Sequence, residues 1–186
     1  MPSEAIPEPW HSFLKELAGT LSDEFHFHCM GGFVVTFLYG FSRTTSDLDV
    51  LSLVTTDKRF SALIKLGGED SALHKKYGVH LHCVTVAQVP DGYDERLTEM
   101  FPGSFEPLRL FALDPYDLAL SKLERNEQLD RDDVKHLART IPLDLTVLQD
   151  RYHNEMRPYL GVPTREDLTL KFWVEAIEEE RTKRGG

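Results

Sequence analysis

Hydrophobic positions in the first part of the chain fall in short alternating or continuous runs, and beyond residue 114 they recur at helical spacing. Trp10, Phe13, Leu14, Leu17 and Ala18 lie three and four apart, which predicts a helix over 8–21. Phe25-His-Phe-His-Cys-Met30 alternates and stops at two glycines, as a strand with a sharp exit does. Phe33 to Tyr39 is apolar, and the glycines before it with Gly40 after it favour a short helix. Asp47 to Val54 predicts a second strand, apolar except at Asp47, Asp49 and Ser52. Residues 57–77 read as helix broken at Gly67-Gly68, 78–86 as a third strand, 93–100 as a short helix and 108–113 as a fourth strand.

Asp114-Pro-Tyr-Asp117 opens the helical part: Asp114 can cap, Pro115 suits the first turn, and Asp117 can reach back to complete a capping box. The pattern predicts helices over 114–126, 130–139, 144–157 and 164–183, the last started by Thr164 and Asp167. On that last helix Leu168, Phe172, Trp173, Val174 and Ile177 read as a core-facing stripe. The expected fold class is therefore α+β, a mixed sheet flanked by helices over 1–113, with a helical region over 114–186 packed on it as one compact unit.

Composition narrows the function. Lys and Arg total 21 against 31 Asp and Glu, a net charge of −10, which argues against general charge-driven nucleic-acid binding. A local basic rim from Lys58, Arg59, Lys65, Lys75 and Lys76 remains available, as does a nucleotide whose charge is met by metal ions. No apolar run approaches the ~20 residues that span a bilayer, and Met1 to Trp10 is acidic and proline-rich, unlike a secretory leader. Cys29 and Cys83 sit in apolar stretches, which predicts reduced thiols and a cytoplasmic setting.

The chemistry concentrates between Met30 and Val50. Residues two apart on a strand face the same way, so Asp47 and Asp49 place two carboxylates on one face of an otherwise apolar strand. Two acids so placed repel each other and call for a cation. Oxygen ligands at this spacing suit Mg²⁺ (or Mn²⁺), which keeps other positions for water and substrate phosphate. Gly31-Gly32, between a strand and a helix start, leaves backbone N–H groups open to phosphate oxygens, and Arg43, Thr45 and Ser46 stand just ahead of the acids as phosphate-binding candidates.

Strand, Gly31-Gly32, helix, Arg43-x-Thr45-x-Asp47-x-Asp49, strand: in this order the segment resembles the signature of the DNA polymerase β-type nucleotidyltransferase superfamily. It looks nearest to the bacterial branch of AbiEii-like and MenT-like toxins, with Thr45 where that branch has serine. Asp117-Leu-Ala-Leu-Ser-Lys122-Leu-Glu-Arg125, then Asp130-Arg-Asp-Asp133, resembles the branch's later motifs. The stretches Pro90 to Leu97 and Leu110 to Ala119 are similar to a bacterial nucleotidyltransferase-like family of unknown function, and the resemblance covers roughly residues 25–137.

The resemblance implies transfer of a nucleoside monophosphate from an NTP to a hydroxyl. Asp47 and Asp49 would hold metal as catalytic acids, Lys122 would contact the phosphates, Arg125 would assist, and Asp133 would complete the site or orient Lys122. It further implies an RNA 3′ end such as that of a tRNA as acceptor, and a toxin paired with a cognate antitoxin; a protein or small-molecule acceptor stays open. Active members place a third carboxylate on the next strand, whereas Val79 to Val86 carries none; His80 and His82 are the nearest stand-ins, with His82 the metal-ligand candidate. Two competing readings follow: a nucleotide- or partner-binding domain without turnover, and a zinc site built from His26, His28, His80 and His82. The expected sheet opposes the second, because it puts the Asp47 strand between the two histidine pairs.

Overall fold

A computed structural model describes residues 6–52, 57–85 and 88–185. The chain forms two compact units, one of Met1–Val86 with Leu97–Ala112, the other of Ala87–Arg96 with Leu113–Gly186.

The first unit is built on a five-stranded mixed sheet in the order β3-β2-β1-β5-β4, from β1 (Phe25–Met30), β2 (Asp47–Leu51), β3 (His80–Val84), β4 (Thr98–Met100) and β5 (Leu108–Ala112). β1 runs parallel to β5 and antiparallel to β2; β2 and β3 are parallel. Alternation decides which face is covered. Phe27 and Cys29 of β1, Leu48 and Val50 of β2, Leu81 of β3, and Leu108 and Leu110 of β5 are buried on one face. Helix α1 (Trp10–Ala18) supplies Phe13, Leu14 and Leu17 to this core, and α3 (Lys58–Gly67) adds Phe60, whose ring meets Phe27 edge-on at 6.3 Å. The short helix α2 (Gly31–Phe37) sets Phe33 edge-on to Trp10 at 4.8 Å between centroids. Full burial of each such ring contributes about 1.5–3 kcal/mol. Helix α4 (Ala72–Tyr77) is capped by Ser71 Oγ, which accepts from His74 N at 3.0 Å, and ends in left-handed Gly78. The opposite face carries His26 and His28 of β1, Asp47 and Asp49 of β2, His80 and His82 of β3, and Arg109 and Phe111 of β5, none of them buried.

The second unit is helical: α5 (Pro115–Leu120), α6 (Gln128–Thr140), α7 (Leu145–Arg151) and α8 (Thr164–Gly185). Its core holds Leu118, Leu123, Leu137, Leu148 and Ile177, all fully buried. Asp117, also fully buried, accepts from Arg96 Nε at 2.9 Å and Arg151 Nη1 at 3.0 Å, so its charge is met twice.

The α+β class with a mixed sheet and flanking helices is as the pattern predicts. Four local readings change. Residues 93–100 are a 3₁₀ turn (Tyr93–Arg96) followed by edge strand β4, because Glu99 and Met100 pair with Phe111 and Leu110 of β5. Helix 114–126 stops at Leu120: Lys122 and Leu123 bond back only three residues, to Ala119 and Leu120, and Ser121 Oγ takes the Leu118 carbonyl at 2.7 Å. The 144–157 segment is α7, then a π turn (Tyr152–Met156), then a 3₁₀ turn (Arg157–Tyr159). On α8, Trp173 and Ile177 are buried as expected, but Leu168 and Phe172 are 53% and 54% exposed, so the buried stripe is narrower than the sequence suggests. The end of the second expected strand, 53–56, and residue 86 of the third lie outside the described residues.

Candidate active site

Three ligand groups converge on the sheet face opposite the buried apolar one. Asp47 and Asp49 share it by alternation, and the β2–β3 register sets His80 opposite Asp47 and His82 opposite Asp49. His82 Nδ1 lies 2.7 Å from Asp49 Oδ1. One ligand atom from each of Asp47, Asp49 and His82 lies within 4.8 Å of the others, the only such group of three among the described residues. Two hard carboxylates with one imidazole suit Mg²⁺ or Mn²⁺, the imidazole leaning toward Mn²⁺.

The glycine turn is fitted to this group. Met30, the last residue of β1, pairs with Asp49, so the chain enters Gly31 directly beside the acid. Gly31 has φ +70°, and a Cβ there would land on Asp49 Oδ2. A Cβ on Gly32 would collide with Arg43 Nη2 and touch Thr45 Oγ1 at 3.5 Å. The double glycine therefore lets a carboxylate and a guanidinium lie against its backbone. Thr45 Oγ1 donates toward Asp47, at 3.2 Å from its carbonyl and 3.3 Å from Oδ1, which orients that acid. Ser46 is exposed, and its carbonyl accepts from His80 N at 2.9 Å, locking the segment before β2 onto β3.

Lys122, Arg125 and Asp133 belong to the second unit and form their own charge cluster with Asp130. Lys122 is 5% exposed; its Nζ is 2.7 Å from Asp133 Oδ2 and 3.5 Å from Asp130 Oδ1. Arg125 donates to Asp130 from Nε at 2.8 Å and Nη2 at 2.6 Å. Burial opposes ionisation of Asp130, but the Arg125 hydrogen bonds and the Lys122 charge outweigh it and hold the carboxyl below its usual range. Asp130 was not among the expected site residues. Its signal was the spacing Glu127-x-x-Asp130, which forms a capping box at the start of α6.

The four-histidine zinc site does not form. β2 separates β1 from β3, His26 Nε2 is engaged by Glu24 at 2.7 Å, and the His80 ring lies tilted against His74 at 4.7 Å between centroids. Both cysteines are free; Cys29 is buried, and burial pushes its thiol far above the normal range, so it is inert.

A mixed α+β sheet that carries an Asp-x-Asp strand beside a Gly-Gly turn is consistent with a nucleotidyltransferase-like fold. The chain belongs to the family described as nucleotidyltransferase of unknown function (DUF6036), whose sequence model matches residues 11–181. Nucleotidyl transfer from an NTP is the activity that this membership supports. No curated protein and no solved structure gives a significant match. No helix among the described residues is long and apolar enough to cross a membrane.

Proposed function

We propose that the protein is a divalent-metal-dependent nucleotidyltransferase that moves a nucleoside monophosphate from an NTP to a hydroxyl. The observation that carries this is the convergence of Asp47, Asp49 and His82 beside a Gly31-Gly32 backbone lined by Arg43 and Thr45. Asp47 and Asp49, with His82, would hold Mg²⁺ or Mn²⁺, which supplies charge neutralisation of the polyphosphate. Arg43, Thr45, Ser46 and the Gly31-Gly32 amides bind phosphate oxygens. The acceptor oxygen bonds to the α-phosphorus, the bond from that phosphorus to the bridging oxygen breaks, and pyrophosphate leaves with the electron pair. The hydroxyl proton passes to an acceptor on the protein or in solvent. Lys122 and Arg125, with Asp133 orienting Lys122, are assigned to the phosphates as the family resemblance implies.

Within this reading an RNA 3′ end is the acceptor and the protein is a toxin with a cognate antitoxin, as the resemblance to AbiEii-like and MenT-like toxins implies. Two cations of the basic rim are already engaged, Arg59 with Asp57 at 2.8 Å and Lys76 with Glu16 at 2.5 Å, which lessens the rim's pull on RNA. A second reading, nucleotide binding without turnover, is favoured by His82 standing where a third carboxylate would add negative charge.

The test uses [α-³²P]NTPs with Mg²⁺ or Mn²⁺ and separate pools of RNA, protein and metabolites. The proposal expects label on one pool with stoichiometric pyrophosphate, and loss of at least ~100-fold in Asp49→Asn. NTP binding with no transfer to any pool overturns it in favour of the second reading.

A further inference from the structure

The second unit holds a cavity of about 420 Å³ where α6 packs against α8. Its apolar walls are Trp173 and Ile177, one turn apart on α8, with Val134 of α6 and the half-exposed ring of Phe172. Arg131 and Lys135, one turn apart on α6, stand on its rim. Asn126 fixes two of these groups. In a left-handed conformation (φ 46°), its Oδ1 accepts from Trp173 Nε1 at 3.2 Å and from Arg131 Nε at 3.2 Å, while its carbonyl accepts from Arg131 Nη2 at 2.9 Å. The indole and the guanidinium are thus held in place before any ligand arrives, which reduces the entropy lost on binding.

Two features point to the ligand's chemistry. No ion pair among the described residues involves Arg131 or Lys135, although the chain as a whole carries ten more acids than Lys and Arg together. Two adjacent cations without a carboxylate partner attract an anion. Phe172, 54% exposed at the cavity, and the neighbouring Trp173 offer aromatic surface to a planar ring. The volume lies within the ~300–1,000 Å³ of small-molecule sites.

We propose that this cavity binds a small anion with a planar aromatic body, of the nucleoside monophosphate class, with the ring against Phe172 and Trp173 and the anionic group between Arg131 and Lys135. None of its residues belongs to the Asp47–Asp49–His82 group, so the proposal stands apart from the catalytic reading.

Equilibrium dialysis of the full chain with labelled AMP, in EDTA to remove metal-dependent binding, tests it. AMP is expected to bind at least ~10-fold more tightly than adenosine or inorganic phosphate, because each of those satisfies only half of the site. Arg131→Gln/Lys135→Gln and Phe172→Ala, all at solvent-accessible side chains, are each expected to weaken AMP at least ~10-fold, while Asp49→Asn leaves it unchanged. Absence of saturable AMP binding overturns the proposal. So does binding that the cavity variants leave intact, binding lost equally in Asp49→Asn, or adenosine or phosphate binding as tightly as AMP.

Discussion

Gly31 decides the geometry of the acid pair. It combines a φ of +70° with contact distance to Asp49, so a single methyl group meets both a backbone and a steric objection. The left-handed conformation alone costs a non-glycine residue ~1–2 kcal/mol. Gly31→Ala is expected to lower the melting temperature and to reduce nucleotidyl transfer by at least ~100-fold, since displacing a ligand by about 1 Å is enough for that. Calorimetric melting with the labelled-transfer assay checks both, and unchanged transfer would show that Asp49 need not lie against the turn. At this scale Asp47 and Asp49 were legible in the sequence because strand alternation has a fixed period. The pairing of His82 with Asp49 was legible only as one of two histidines, because choosing between His80 and His82 needs the β2–β3 register.

Among the elements, α5 and α6 are joined by charge as well as by packing. Lys122 follows the end of α5, and Asp130 and Asp133 lie in the first two turns of α6. Removing the cation takes from the buried Asp133 the ammonium 2.7 Å from its Oδ2, while Asp130 keeps Arg125; breaking a buried pair typically costs ~3–5 kcal/mol. Lys122→Met is expected to lose stability in that range by urea denaturation, and the further changes Asp130→Asn and Asp133→Asn to recover part of it. A loss under ~1 kcal/mol would mean that the cluster holds nothing together. The sequence predicted a longer helix here because residues 121–126 keep helical spacing; side-chain capping by Ser121 and three-residue backbone bonds end it, and neither leaves a mark in hydrophobic periodicity. β4 escaped for a related reason: three residues are too few to show alternation, and their pairing with β5 is tertiary.

Over the whole molecule, the α+β class followed from short alternating runs giving way to helical spacing, and those signals are local. The passages of the chain between the units near residues 86 and 96 are marked by no proline-rich or glycine-rich linker, whereas that near 112 lies beside Asp114-Pro115, where the helical pattern starts. The net charge of −10 keeps its meaning at this scale: the proposed recognition of phosphate would draw on a few placed cations and a metal, not on a general field. The proposed activity therefore depends on the acid pair gripping a divalent cation with its nucleotide. Titration of the intact chain with Mn²⁺ and a non-hydrolysable NTP, followed by electron paramagnetic resonance, measures that directly. A saturable site in the wild type, weakened at least ~10-fold by Asp47→Asn and by Asp49→Asn, is the result predicted; equal Mn²⁺ affinity in all three proteins would contradict it.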